Sequence, residues 1–218
     1  MTTLSKAPFI TLEGGEGTGK STQARLLAER LGAAGLDCLV TREPGGSPFA
    51  ESIRGLLLGA DLPERAPLAE ALLFLAARAD HVAQVIEPAR AEGRAVICDR
   101  FSDSTLVYQG IAGRVPLATL IELDRLVVGS AKPDLTLVVD LPAEIGLARA
   151  SARRAAGVEI DPFEQRNLAY HETLRTGFRT IAENHPDRCV LIDGSGSVDE
   201  VAARVWSAVK QRLATEAG

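Results

Sequence analysis

The chain has 218 residues, enough for one domain with a full core. Its net charge of −5 excludes a general nucleic-acid binder, which needs a basic surface to displace counterions. Hydrophobic residues at 46% and charged residues at 24% are an ordinary globular balance, and no apolar run reaches the ~18 residues of a membrane helix.

The first segment, MTTLSKAP, has no basic stretch followed by an apolar one, so the sequence predicts a cytoplasmic protein. Phe9–Leu12 then reads as a strand. It runs into GGEGTGKS, Gly14–Ser21, which fits GxxxxGK[ST] between a strand and a helix over Lys20–Gly32. Glycines let successive N–H groups point inward, and with the helix N-terminus they form an anion cradle. Gly14, Gly15, Glu16, Gly17, Thr18, Gly19, Lys20, Ser21 and Thr22 are therefore the predicted ATP-binding residues. Lys20 should reach the β- and γ-phosphates, and the Ser21 hydroxyl should ligate Mg²⁺.

A second strand, Cys38–Thr41, leads into REPGGS, Arg42–Ser47. Ligands of open α/β sheets bind beyond strand carboxyl ends, which places Arg42 near the site. The Glu43–Pro44 bond is a candidate cis peptide, and the plainer reading of the segment is a rigid turn. Helices follow over Pro48–Leu58 and Pro67–Glu92. The second carries Phe74 and Arg78 four residues apart, a pairing that suits a stacked base but by pattern alone favours core packing.

The strand Ala95–Cys98 ends in Asp99-Arg100. An acid there completes a P-loop site by holding Mg²⁺, and the adjacent arginine can clamp a second phosphate. Beyond a helix over Pro116–Val128 and a strand over Leu135–Val139, the helix Ala143–Ala155 contains RASARR, Arg149–Arg154. These arginines precede a helix-breaking stretch, Ala155–Pro162, and could close over phosphates. Pattern alone favours a solvated basic face. A helix over Phe163–Asn184, a strand over Cys189–Ile192 and a helix over Val198–Thr215 complete the chain. Cys38, Cys98 and Cys189 sit in apolar runs and read as core thiols without metal-site spacing. The alternation implies a doubly wound α/β fold in a single domain, 1–218. No N-K-x-D, HRD or DFG segment is present, which disfavours a guanine-reading switch or a protein kinase.

Together, EGGEGTGKST, TREPGGS, the Phe74/Arg78 helix, DRFSDSTLVYQG at Asp99–Gly110 and the Arg149–Arg154 cluster resemble the thymidylate kinase family. The resemblance implies a P-loop NTPase fold of the nucleoside monophosphate kinase kind, a five-stranded parallel sheet with helices on both faces. It implies transfer of the ATP γ-phosphoryl group to dTMP with Mg²⁺, toward dTTP, by a homodimer with no nucleic-acid or membrane partner. Glu16 would bind the acceptor 3′-hydroxyl, and Arg42 and Arg100 its phosphate. Phe74 would stack on thymine, Arg78 and Thr105 would read its edge, and Tyr108 would exclude a 2′-hydroxyl. Pro44, Ser104 and Gln109 would complete the acceptor site. Some members carry an arginine where this chain has Gly17. Others supply it from a LID, here 149–164, so that Arg149 and Arg153 join Lys20 and Arg100 as catalytic residues. The alternatives are a UMP/CMP or AMP kinase, or a non-catalytic P-loop switch.

Overall fold

The structure is a computed structural model that describes residues 3–4, 7–59, 64–155 and 162–215; the side chains of 3–4, 153–155 and 214–215 fall outside the description. The five apolar runs are the strands β1 (Phe9–Glu13), β2 (Cys38–Arg42), β3 (Ala95–Asp99), β4 (Leu135–Asp140) and β5 (Cys189–Asp193). They form one parallel sheet in the order β2–β3–β1–β4–β5. Outside it, Thr3–Leu4 pairs antiparallel with Ala214–Thr215, so the last predicted helix stops at Leu213 rather than Thr215.

The helices are α1 (Lys20–Ala33), α2 (Pro48–Leu58), α3 (Pro67–His81), α4 (Glu87–Ala91), α5 (Ser102–Thr105), α6 (Leu117–Val128), α7 (Ala143–Ala155), α8 (Leu168–Asn184) and α9 (Val198–Leu213). Side chains alternate across each strand, and both faces of the sheet are covered, which is why the strands read as apolar throughout. In β1, Ile10 and Leu12 pack with Leu27 and Leu31 of α1 and Val205 and Val209 of α9. Phe9 faces the opposite layer, with Val82, Ile86 and Phe101. The β4–β5 half of that layer is closed by Leu174 and Phe178 of α8. Thr11 and Thr136 are buried on adjacent strands and satisfy each other at 2.8 Å.

The single helix expected over Pro67–Glu92 is interrupted. Val82–Ile86 forms a π-helical turn in which the Glu87 N–H reaches the Val82 carbonyl, five residues back, and Pro88, which has no N–H, falls in the first turn of α4. A second π-helical stretch, Leu106–Ile111, continues α5 and buries Tyr108 and Gln109. The helix expected from Phe163 begins at Leu168, because Asn167 caps it by accepting the Tyr170 N–H at 2.9 Å; Pro162–Gln165 is a 3₁₀ turn. Among the described residues no helix is long and apolar enough to cross a membrane.

Candidate active site

Beyond the carboxyl ends of β1, β2 and β3 lies a cleft of about 360 Å³. Its floor is the β1–α1 loop. Gly17 there has φ +67°, and a Cβ on it would stand 1.9 Å from the Gly146 carbonyl of α7, so a side chain at that position would force the loop and α7 apart. Lys20 opens α1 and folds over its own loop, donating to the Gly15 carbonyl at 2.6 Å and to Thr18 Oγ1 at 3.4 Å. Thr18 donates to the same Gly15 carbonyl. Burial, reinforced by the charge of Arg100, lowers the Lys20 pKa to about 8. Gly19, Ser21 and Thr22 line the cleft beside it, and Gly14 offers its carbonyl to Arg100 Nη1 at 3.1 Å.

Arg100 joins the loop to the opposite wall. Its backbone has φ +69°, and its N–H is held by the Leu12 carbonyl at 3.0 Å. That turn sends the side chain back across the P-loop. Nη2 donates to Glu16 Oε1 at 2.6 Å, and the guanidinium lies 5.0 Å from the Tyr108 ring centre. The Tyr108 hydroxyl donates to the same Glu16 oxygen at 2.6 Å. Burial alone would raise the Glu16 carboxyl, but Arg100 and then Lys20 outweigh it and hold it at about 2. Beneath them, Glu13 accepts the Phe101 N–H at 2.8 Å, the Ser104 N–H at 3.3 Å and the Ser104 hydroxyl at 2.6 Å. Burial, with Asp103 nearby, pushes the Glu13 carboxyl up to about 8.

The far wall is aromatic and basic. Phe74 and Tyr108 both face Phe163, with ring centres 6.4 Å and 5.4 Å away. Arg78 is 2% exposed and lies 5.0 Å from the Phe101 ring centre. It donates to Glu43 Oε2 at 2.8 Å, Asp124 Oδ1 at 3.1 Å and Thr105 Oγ1 at 2.9 Å. Gln109 turns toward α3 and donates to Glu70 at 3.1 Å. The Glu43–Pro44 peptide is cis, and Arg54 donates to the Pro44 carbonyl at 2.8 Å. Arg42 reaches the cleft edge, exposed and paired with Glu51 at 3.3 Å.

Ser21 and Asp99 meet through a hydrogen bond from the serine hydroxyl to Asp99 Oδ2. Asp99 Oδ1 is buried with no hydrogen-bond partner, an oxygen left available on a site of hard donors. Among the described residues no cluster of three His, Cys, Asp or Glu could enclose a metal. The pair therefore fits Mg²⁺ that takes its remaining ligands from phosphate and water.

The cleft thus brings together Glu16, Gly17, Gly19, Lys20, Ser21 and Thr22 of the P-loop with Arg42, Pro44, Phe74, Arg78, Arg100, Ser104, Thr105, Tyr108 and Gln109, the residues expected to take an acceptor, while Gly14, Gly15 and Thr18 lie behind its surface. It does not include Arg149, which is exposed on α7, and the Arg153 side chain falls outside the described residues. Sequence reasoning missed Glu13, Glu43, Phe163 and Glu164. Glu43 carried a signal, being inside REPGGS; a lone aromatic such as Phe163 carried none.

The family model described as "Thymidylate kinase" matches residues 12–205. A thymidylate kinase of Nitrobacter winogradskyi is 54% identical over 214 residues, covering 95% of this chain and 90% of the relative. One of Caulobacter vibrioides is 52% identical, covering 96% and 99%. The crystal structure of thymidylate kinase from Ehrlichia chaffeensis superposes with a TM-score of 0.74 at 32% identity, covering 93% of this chain and 98% of that one. With the P-loop, the Arg100 turn and the Phe74/Arg78 wall meeting in one cleft, the chain belongs to the thymidylate kinase family.

Proposed function

We propose that this chain transfers the γ-phosphoryl group of ATP to dTMP, giving ADP and dTDP, in the cytoplasm. The observation that carries the proposal is the Glu16–Arg100–Tyr108 cluster. It joins the phosphate-binding loop to the acceptor wall within hydrogen-bond distance, 2.6 Å on each side of one carboxylate oxygen. Donor and acceptor sites built around a shared group suit direct transfer between two bound nucleotides.

The chemistry needs positioning and charge neutralisation rather than a covalent intermediate. Arg42 and Arg100 bind the acceptor phosphate, and Phe74 stacks on the base while Arg78 and Thr105 meet its edge. Ser104, Gln109 and Pro44 complete that wall, and Tyr108 and Glu16 meet the sugar. The acceptor phosphate oxygen attacks in line. Lys20 and Arg100 hold positive charge where negative charge spreads in the transition state. Arg149 and Arg153, in a LID expected over about 149–164, of which 156–161 lie outside the described residues, supply the rest. The Gly17 contact supports this assignment, because a side chain at that position would collide with α7. Ser21 and Asp99 would hold Mg²⁺, which when bound would offset phosphate charge.

The protein acts as a homodimer through α3 and α6, which leave Leu68, Leu72, Leu117, Ile121 and Leu126 exposed. The test of the transfer reaction is acceptor dependence. ADP release from MgATP should be slow alone and rise at least about 100-fold with dTMP. Release that ignores every monophosphate would indicate a switch instead.

A further inference from the structure

The Thr41–Ser47 turn and the end of α3 interlock through groups that phosphoryl transfer does not itself use. Glu43 is buried and its carboxylate is shared: Oε2 takes Arg78 Nε at 2.8 Å, and Oε1 lies 3.0 Å from His81 Nδ1. His81 is 0% exposed, and its Nε2 lies 2.8 Å from Thr41 Oγ1. A carboxylate paired with a guanidinium only accepts, so Nδ1 carries the ring proton. Nε2 shares the second hydrogen bond of the ring with the Thr41 hydroxyl. Ser47 is tied to Asp80 of the same helix by a hydrogen bond from its hydroxyl. Gly46, at φ +93°, leaves the space this requires: a Cβ there would stand 2.4 Å from His81 Nε2.

The other side of Arg78 is gripped from α6. Asp124 Oδ1 takes Nη1 and is itself fixed by the Ser102 hydroxyl at 2.7 Å. With Thr105 on Nη2, three of the five N–H groups of Arg78 are committed, and the remaining two belong to a guanidinium that lines the cleft. A guanidinium has no acceptor. It matches a carbonyl oxygen on a base edge and opposes an amino group.

We propose that Glu43 and His81 are positioning residues that, with Asp124, fix the plane of Arg78 and so set the choice of acceptor base. This deepens the reading of the cleft as a dTMP site and rests on it. A pyrimidine presenting a carbonyl at that edge is accepted, and one presenting an amino group is rejected. Without the Glu43–His81 grip the long side chain regains rotamers, and the rejection weakens.

The full-length chain, with MgATP, is assayed for initial rates on dTMP, dUMP and dCMP in the wild type, His81→Leu, His81→Asn and His81→Gln, with melting temperatures alongside. Asn places an N–H where Nδ1 was, facing Glu43; Gln places one where Nε2 was, facing Thr41. His81→Leu should raise the dTMP KM about tenfold and lower dTMP:dCMP discrimination by a similar factor. The dTMP:dUMP ratio, the ATP KM and kcat should hold, since dUMP keeps the same carbonyl edge. His81→Asn should stay near wild type, and His81→Gln should resemble His81→Leu. If His81→Leu does not fold, the Asn/Gln contrast decides. Asn and Gln behaving alike, or an effect confined to melting temperature, would overturn the positioning role while leaving dTMP kinase activity intact. A wild-type enzyme that prefers dCMP would overturn both.

Discussion

Three ionisable residues of the P-loop region carry burial in different ways. Glu13, at about 8, keeps in the folded state a proton that the unfolded chain releases near 4.5. The folded state binds more protons across that window, so stability falls as pH rises from about 4.5 to about 8. Lys20, lowered to about 8 from 10.5, acts above that window, where stability rises with pH as the buried ammonium is lost in the folded state first. Glu16, at about 2, acts below it: its contribution is present above 4.5 and lost as pH falls toward 2. The interval between pH 5 and 8 therefore isolates Glu13 among the three. Glu13→Gln keeps acceptor capacity for the Phe101 N–H and removes the titration. Its melting temperature should vary less across pH 5–8 than that of the wild type. An unchanged slope would show that Glu13 is ionised throughout.

At the scale of elements, the P-loop is seated against α7 through Gly17 and Gly146. Gly17→Ala forces a side chain into left-handed backbone and against a carbonyl 1.9 Å away. Strain of about 1–3 kcal/mol should appear as a lower melting temperature and a raised ATP KM. A variant with wild-type values would mean that the loop relaxes freely. If α7 supplies the transition-state cations, Arg149→Ala and Arg153→Ala should each lower kcat by about tenfold or more and change the dTMP KM little, as steady-state kinetics would read. The elements themselves were largely legible. Every strand of the parallel sheet was placed correctly but cut one residue short, because each ends on a charge: Glu13, Arg42, Asp99, Asp140 and Asp193. Polarity marks the end of an apolar run, whereas pairing continues to the edge where the cleft begins. The π-helical turns were not legible, since a one-residue shift in hydrogen bonding leaves the apolar pattern of a helix intact. The Glu43–His81 contact was hidden for another reason. It joins residues 38 positions apart, and a lone histidine on an apolar helix reads as core.

For the whole molecule, the family motifs fixed the site more firmly than periodicity did. The donor loop, the Asp99-Arg100 turn and the Phe74/Arg78 helix are separated in sequence and meet only because the sheet order sets β3 beside β1 and β2 beside β3. The exposed apolar residues on α3 and α6 are the feature that a single chain does not explain. Light scattering should give twice the mass of one chain, and Ile121→Asp, which puts a charge on that 56% exposed position, should shift it toward one. A wild-type monomer would contradict the dimer. The most direct test of the central claim is the initial rate of MgATP consumption with dTMP, dUMP, UMP, CMP and AMP under identical conditions. The account predicts the highest kcat/KM for dTMP, with CMP and AMP at least about 100-fold lower. A preference for UMP, CMP or AMP would contradict it.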